Sequence, residues 1–257
     1  MSAGAPSAAA RRPLLLLALD GPGWEGDRRL AERLLASPAG AALDGFKLGP
    51  ALFTAAGPEA ARWLAARRAL FLDLKLHDIP AVVAEAVRAA AALGARWLTL
   101  HAAGGRRMLE AACRARDAAG GRPELLAVTV LTSLEEADLA ALGYAGGVEA
   151  TALRLAALAL EAGVDGLVAS AHEVPALRRR FGPGPRLAVP GLRAAADRPA
   201  GDDQRRVATP AGAAAAGADL LVLGRAVRAA ADPVAALAEL AAGLESGGAP
   251  AGEEGRP

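Results

Sequence analysis

The chain has 257 residues, enough for two average domains or for one α/β barrel of about 250 residues. Hydrophobic residues make up 53%, ample for a core, while aromatics at 3% leave little for base-stacking platforms or aromatic carbohydrate clefts. A net charge of +1 argues against a nucleic-acid footprint or a polybasic membrane surface, and the single cysteine, Cys113, excludes an intrachain disulfide framework and fits a reducing cytoplasm.

Residues 1–12 and 246–257 are rich in Ala, Gly, Pro, Ser and Glu and are read as disordered tails around one domain over 13–245. Arg11-Arg12 ahead of the leucine run imitates a signal peptide, but the run stops at Asp20 with no small-residue cleavage site after it. A buried first strand is the better reading. No stretch approaches the roughly 20 apolar residues of a membrane helix. Short β-like runs are expected at 14–20, 43–49, 70–75, 96–101, 124–131, 166–170, 186–189 and 219–224. Alanine-rich helical runs are expected near 27–36, 58–67, 81–93, 106–118, 149–162, 172–180, 204–216 and 232–244. Strict alternation of this kind predicts a parallel sheet covered by helices, and eight βα units fit a single closed (β/α)8 TIM barrel better than an open doubly wound sheet. No Gly-x-Gly-x-x-Gly follows the first strand, which weakens a dinucleotide-binding reading. The connections 131–148 and 190–204 exceed the usual βα length and are read as lids.

In this fold the chemistry sits at the C-terminal mouth, so the residues that end each strand are informative. They are Asp20, Lys47, Asp73 with Lys75 and Asp78, His101, Thr132-Ser133, Pro190-Gly191-Leu192-Arg193 and Gly224-Arg225. Only two of the 29 Lys+Arg residues are lysines, Lys47 and Lys75, and both fall at strand ends. A chain that otherwise uses arginine keeps lysine where a compact ammonium is needed. Asp73, Lys75 and His77 alternate and on an extended backbone share one face. Such a row is expensive to bury unless its members pair with each other or with a ligand. A structural ion-pair cluster is one alternative, although it does not account for Asp20, Lys47 or Arg225. A Mg²⁺ site from Asp73, His77 and Asp78 is another, weakened by the repulsion Lys75 would exert on a cation. Gly224-Arg225 after the last strand offers close backbone approach and a guanidinium fork to a phosphate. His77 is assigned packing or hydrogen bonding, His101 a satisfied place at the mouth, His172 a local helix cap, and Cys113 a small buried side chain.

Several segments stand in a recognisable order: Ala18-Leu19-Asp20, Phe46-Lys47-Leu48-Gly49, Phe71-Leu72-Asp73-Leu74-Lys75-Leu76-His77-Asp78-Ile79-Pro80, and His101-Ala102-Ala103-Gly104-Gly105. Ala127-Val128-Thr129-Val130-Leu131-Thr132-Ser133, Pro190-Gly191-Leu192-Arg193, Asp203-Gln204-Arg205-Arg206-Val207-Ala208-Thr209-Pro210 and Val222-Leu223-Gly224-Arg225 follow. This set resembles the orotidine 5′-phosphate decarboxylases of the bacterial type over nearly the whole chain, and the decapeptide at 71–80 is its most specific part. The resemblance implies a barrel enzyme that converts orotidine 5′-phosphate to UMP without metal or organic cofactor. It implies that Asp20 and Lys47 hold the ribose hydroxyls and that Lys47, Asp73, Lys75 and Asp78 form an alternating charge network with Lys75 as proton donor. It further implies a homodimer in which Asp78 reaches the partner's site, no nucleic-acid or membrane partner, and a cytoplasmic location. Ile79, Pro80 and Thr132 join the substrate-binding set, while Arg193, Gln204, Gly224 and Arg225 grip the 5′-phosphate. One departure stands out. The family usually places a threonine two residues after Asp-Ile-Pro, where this chain has Ala81-Val82, so modestly weaker nucleotide binding is expected. Related barrels that share Asp-x-Lys-x-x-Asp, such as hexulose-phosphate synthase and keto-gulonate-phosphate decarboxylase, use Mg²⁺ and a sugar phosphate. Lys47, the Ile-Pro after Asp78 and Asp203-Gln204 favour the nucleotide enzyme. A non-catalytic phosphate- or nucleotide-sensing barrel is disfavoured by the Asp-Lys-Asp set, which binding alone does not require.

Overall fold

Leucine and alanine dominate the strand sequences because both faces of the sheet are covered, by helices outside and by opposing strands inside. The computed structural model describes residues 12–192 and 208–246; the two tails beyond these limits and most of the connection 190–204 lie outside the described residues. Eight parallel strands close into a barrel in chain order. They are β1 (Leu14–Leu19), β2 (Gly45–Leu48), β3 (Ala69–Leu76), β4 (Ala95–His101), β5 (Glu124–Val128), β6 (Gly166–Val168), β7 (Arg186–Leu192) and β8 (Leu220–Leu223). Closure is direct, with Leu14 opposite Leu220 and Leu17 opposite Leu223.

Side-chain alternation splits the core into two apolar layers. Leu15, Leu17 and Leu19 of β1 pack outward with helix residues such as Ala31 and Leu34. Leu16 and Ala18 point inward with Phe71, Trp97, Leu126, Ala188, Leu220 and Val222. Trp97 and Phe71 meet edge to face, with ring centroids 6.3 Å apart, and the indole N–H of Trp97 donates to Glu124 at 3.3 Å. These rings fill the barrel towards the N-terminal ends of its strands, which leaves the opposite mouth for polar groups.

The helices are α1 (Trp24–Leu35), α2 (Pro50–Ala65), α3 (Pro80–Ala92), α4 (Gly105–Ala118), α5 (Glu136–Ala141), α6 (Gly147–Glu161), α7 (Val174–Phe181), α8 (Pro210–Ala215), α9 (Arg225–Arg228) and α10 (Pro233–Ser246). Pro80 sits in the first turn of α3, where a missing N–H costs nothing. The segment before Pro58 is helical too, so α2 begins at Pro50; Gly57 (φ 58°) breaks the helix just ahead of Pro58. The connection 131–148 is not a plain loop. It contains α5, held by reciprocal capping between Glu135 and Asp138, and its Leu139 is buried against Val130 and Ala152. His172 is not the start of a helix: α7 begins at Val174, and the turn before it is closed by the Glu173 carboxylate accepting from the Ser170 N–H at 2.9 Å. Cys113 is buried in α4, and burial pushes its thiol up to about 11. Among the described residues no helix is long and apolar enough to cross a membrane.

Because Trp97 is fully buried inside the barrel, Trp97→Ala is expected to lower stability by about 3–5 kcal/mol. Denaturant unfolding checks this, and a loss below about 1 kcal/mol would mean that the interior collapses onto the space.

Candidate active site

The strand ends deliver their polar residues to one cavity of about 440 Å³ at the C-terminal mouth. Asp20, Lys47, Asp73, Lys75, Gly224 and Arg225 all line it, six of the residues expected there from sequence. The charged groups form a chain of alternating sign. The Lys47 ammonium lies 3.1 Å from each carboxylate oxygen of Asp20 and 3.3 Å from Oδ2 of Asp73. The same Asp73 oxygen is 2.9 Å from the Lys75 ammonium. Lys47 is 7% and Asp73 9% exposed, so each depends on its neighbours for the solvation it has lost. Lys75 is more open and faces the cavity, free to meet a ligand from above.

Two local features make this packing possible. A Cβ on Gly49 would stand 2.3 Å from Oδ1 of Asp20 and 3.2 Å from the Lys47 ammonium, so any side chain there would push this pair out of its present position. Lys75 has φ 50°, and β3 shifts register against β4 over the same residues. Sequence spacing does not point to Gly49 beyond its place in the Lys47 segment.

His77 does not share the face of Asp73 and Lys75. β3 ends at Leu76, and His77 turns into a neighbouring groove with Asp78, Ile79 and Pro80 beside the start of α4. Asp73, His77 and Asp78 therefore do not converge as a metal-binding trio would have to. His77 stacks at a tilt on His101, centroids 5.5 Å apart. Burial, then His77 and Lys75, push the His101 imidazole below its ordinary pKa, which favours its neutral form. Asp78 accepts the Ile79 N–H at 2.7 Å, and it makes no ion pair with Lys75 within the chain. Ile79 and Val82 are 65% and 47% exposed, unusual for large apolar side chains at the rim of a site.

Thr132 lies in the turn after β5 and is not among the residues that line the cavity. Arg193 and Gln204 lie outside the described residues. Arg228 is a cavity residue that the strand-end pattern does not reveal. It follows Arg225 by three positions on α9, a spacing that puts both on one helical face, and its guanidinium lies 3.5 Å from the buried Asp27 carboxylate. Asp27 also accepts the Gly21 N–H at 2.6 Å, and burial raises its pKa against the pull of these partners. The cavity thus has an acidic and ammonium-bearing side at β1–β3 and a guanidinium-bearing side after β8, suited to an elongated ligand with an anionic end.

Known proteins resemble this chain over most of its length. A family model described as orotidine 5′-phosphate decarboxylase / HUMPS family matches residues 13–240. The orotidine 5′-phosphate decarboxylase of Anaeromyxobacter sp. (strain K) is 56% identical over 200 residues, covering 77% of this chain and 86% of that protein. That of Halorhodospira halophila is 49% identical over 240 residues, covering 92% and 98%. Among solved structures, the orotidine 5′-phosphate decarboxylase of Lactobacillus acidophilus superimposes with a TM-score of 0.77 at 31% identity, covering 91% of this chain and 99% of that one. With its closed eight-stranded barrel and a family match that spans nearly all of it, this chain belongs to the orotidine 5′-phosphate decarboxylase / HUMPS family.

Proposed function

We propose that the protein decarboxylates orotidine 5′-phosphate to UMP, with Lys75 as proton donor and with no metal or organic cofactor. The observation that carries this reading is the Asp20–Lys47–Asp73–Lys75 chain at the cavity, in which the last ammonium faces open space. Loss of CO₂ from C6 of the pyrimidine leaves a carbanion in the ring plane, with no adjacent π system to spread the charge. The protein must meet that charge with a fixed positive group or protonate the carbon as it forms. An ammonium anchored by Asp73 does both: it is already oriented before the reaction, and its N–H bond breaks as the new C6–H bond forms. Lys75 is then neutral and regains its proton from solvent. Asp73 also places negative charge near the departing carboxylate. Asp20 and Lys47 suit ribose hydroxyls, a carboxylate to accept and an ammonium to donate. Gly224 and Arg225 suit the 5′-phosphate.

Phosphate binding at a distance from C6 can supply energy that aligns the ring, with Arg193 and Gln204 as further phosphate contacts. The second groove fits a partner subunit. Asp78, accessible and without an ion pair among the described residues, would complete the charge network of a neighbouring site in a homodimer. The exposed Ile79 and Val82 beside it supply apolar surface to cover. Val82 brings no hydroxyl to that junction. A cytoplasmic setting fits the single reduced cysteine.

Three outcomes test this reading. Purified protein is expected to deplete orotidylate absorbance, and Lys75→Ala to lower turnover by at least about 10³-fold with near-native unfolding behaviour; a Lys75→Ala protein of comparable turnover would refute the assignment. Activity is expected to survive excess EDTA, whereas loss on chelation and recovery with Mg²⁺ would point to a sugar-phosphate lyase instead. Mixing inactive Lys75→Ala and Asp78→Ala subunits is expected to restore activity through the one intact site of each heterodimer. Verified heterodimers that stay inactive would remove Asp78 from the partner's site.

A further inference from the structure

Between the paired residues Leu72–Leu98 and Leu76–Leu100, three residues of β3 stand opposite one residue of β4. The three are Asp73, Leu74 and Lys75, and the one is Thr99. The surplus is taken up at Lys75, whose φ of 50° is the only positive value at a non-glycine residue among those described. A long side chain occupies that region only when its surroundings hold it there. Bulges of this kind re-aim a side chain and interrupt the ladder, so the backbone N–H at the bulge needs a new partner.

Thr99 is that partner, and it has a second role. Its Oγ1 accepts the Lys75 N–H at 2.8 Å and stands 3.0 Å from Oδ1 of Asp73. A threonine hydroxyl has a single hydrogen, and here it is donated to the carboxylate. That bond ties down Oδ1 and fixes the plane of the Asp73 carboxylate, leaving Oδ2 for both ammoniums, 3.3 Å from Lys47 and 2.9 Å from Lys75. Thr99 has no solvent exposure, lies below the cavity rather than on its lining, and cannot touch a ligand.

We propose that Thr99 is a positioning residue: one buried hydroxyl couples the strained backbone of Lys75 to the carboxylate of Asp73, so that the ammonium and its anchor are set as a unit. The inference rests on the reading that Lys75 and Asp73 carry the chemistry. Serine at this position keeps the hydroxyl, whereas valine keeps the volume and loses both bonds.

The test is steady-state kinetics on Thr99→Val and Thr99→Ser with orotidine 5′-phosphate, beside Lys75→Ala and with UMP affinity measured by calorimetry. Thr99→Val is expected to lose about 10²-fold in kcat, with KM and UMP affinity within about threefold of wild type, and Thr99→Ser to recover most of the loss. Thr99→Ala is expected to show the same kcat loss and replaces the valine variant if that does not fold. Wild-type kcat in Thr99→Val or Thr99→Ala, a loss confined to KM, or a serine variant as impaired as the valine one overturns the inference. Wild-type turnover in Lys75→Ala overturns the reading of the reaction and this inference with it. An inactive Lys75→Ala beside a fully active Thr99→Val overturns the inference alone.

Discussion

Oδ2 of Asp73 lies within 3.3 Å of one ammonium and 2.9 Å of another, and the mouth of this barrel is arranged to keep it there. Such an arrangement is a poor way to gain stability. Two ammoniums and a carboxylate drawn out of water lose more solvation than their attraction readily returns, and apolar residues of similar volume often serve a fold as well or better. Asp20 offsets part of the imbalance by taking Lys47 from the other side, which makes the row electrically neutral when all four groups are charged. A row that is costly, nearly dry at its centre and open at one end fits a site in which charge must be ready before the reaction begins.

The scaffold supports that readiness by dividing the barrel along its axis. Near the N-terminal ends of the strands, Trp97, Phe71 and inward leucines fill the interior. At the mouth the inward positions turn polar: Ala18 is succeeded by Asp20 just past the end of β1, Phe71 by Asp73 on β3, and Trp97 by Thr99 on β4. Charged side chains carried on hydrogen-bonded strands over a packed plug move less than they would on loops. Gly49 shows how tight the arrangement is, since one methyl there would sit on the Asp20 carboxylate.

A second division separates what the chain holds within itself from what the proposed dimer would supply. Asp73 and Lys75 face the cavity, while His77, Asp78 and Ile79 turn away into a groove of their own. The end of β3 at Leu76 marks that change of direction. On the proposed reading, Asp-x-Lys and the later Asp of one short segment serve two different sites. That would explain why an acidic residue so close to Lys75 in sequence makes no ion pair with it.

The barrel and most of its mouth were legible in the chain because apolar runs alternating with alanine-rich helices admit few topologies, and because strand ends in this fold share one rim. Lys47 and Lys75 stood out against an arginine-rich background, and the structure brings both to Asp73. Strict alternation failed at His77, since a period-of-two argument holds only while the strand continues. The helical turn before Pro58 and α5 within 131–148 were missed because local composition there reads as turn and loop, and packing decides otherwise. Sequence by itself determined the architecture and the rim on which the polar residues stand, both of which follow from periodicity and residue chemistry, while the pairing of the charges was only implied by the family resemblance. Only the tertiary structure decided the left-handed turn at Lys75 and the reach of Thr99 and Arg228. Those depend on the register between neighbouring strands and on contacts between residues far apart in the chain, which no local pattern encodes.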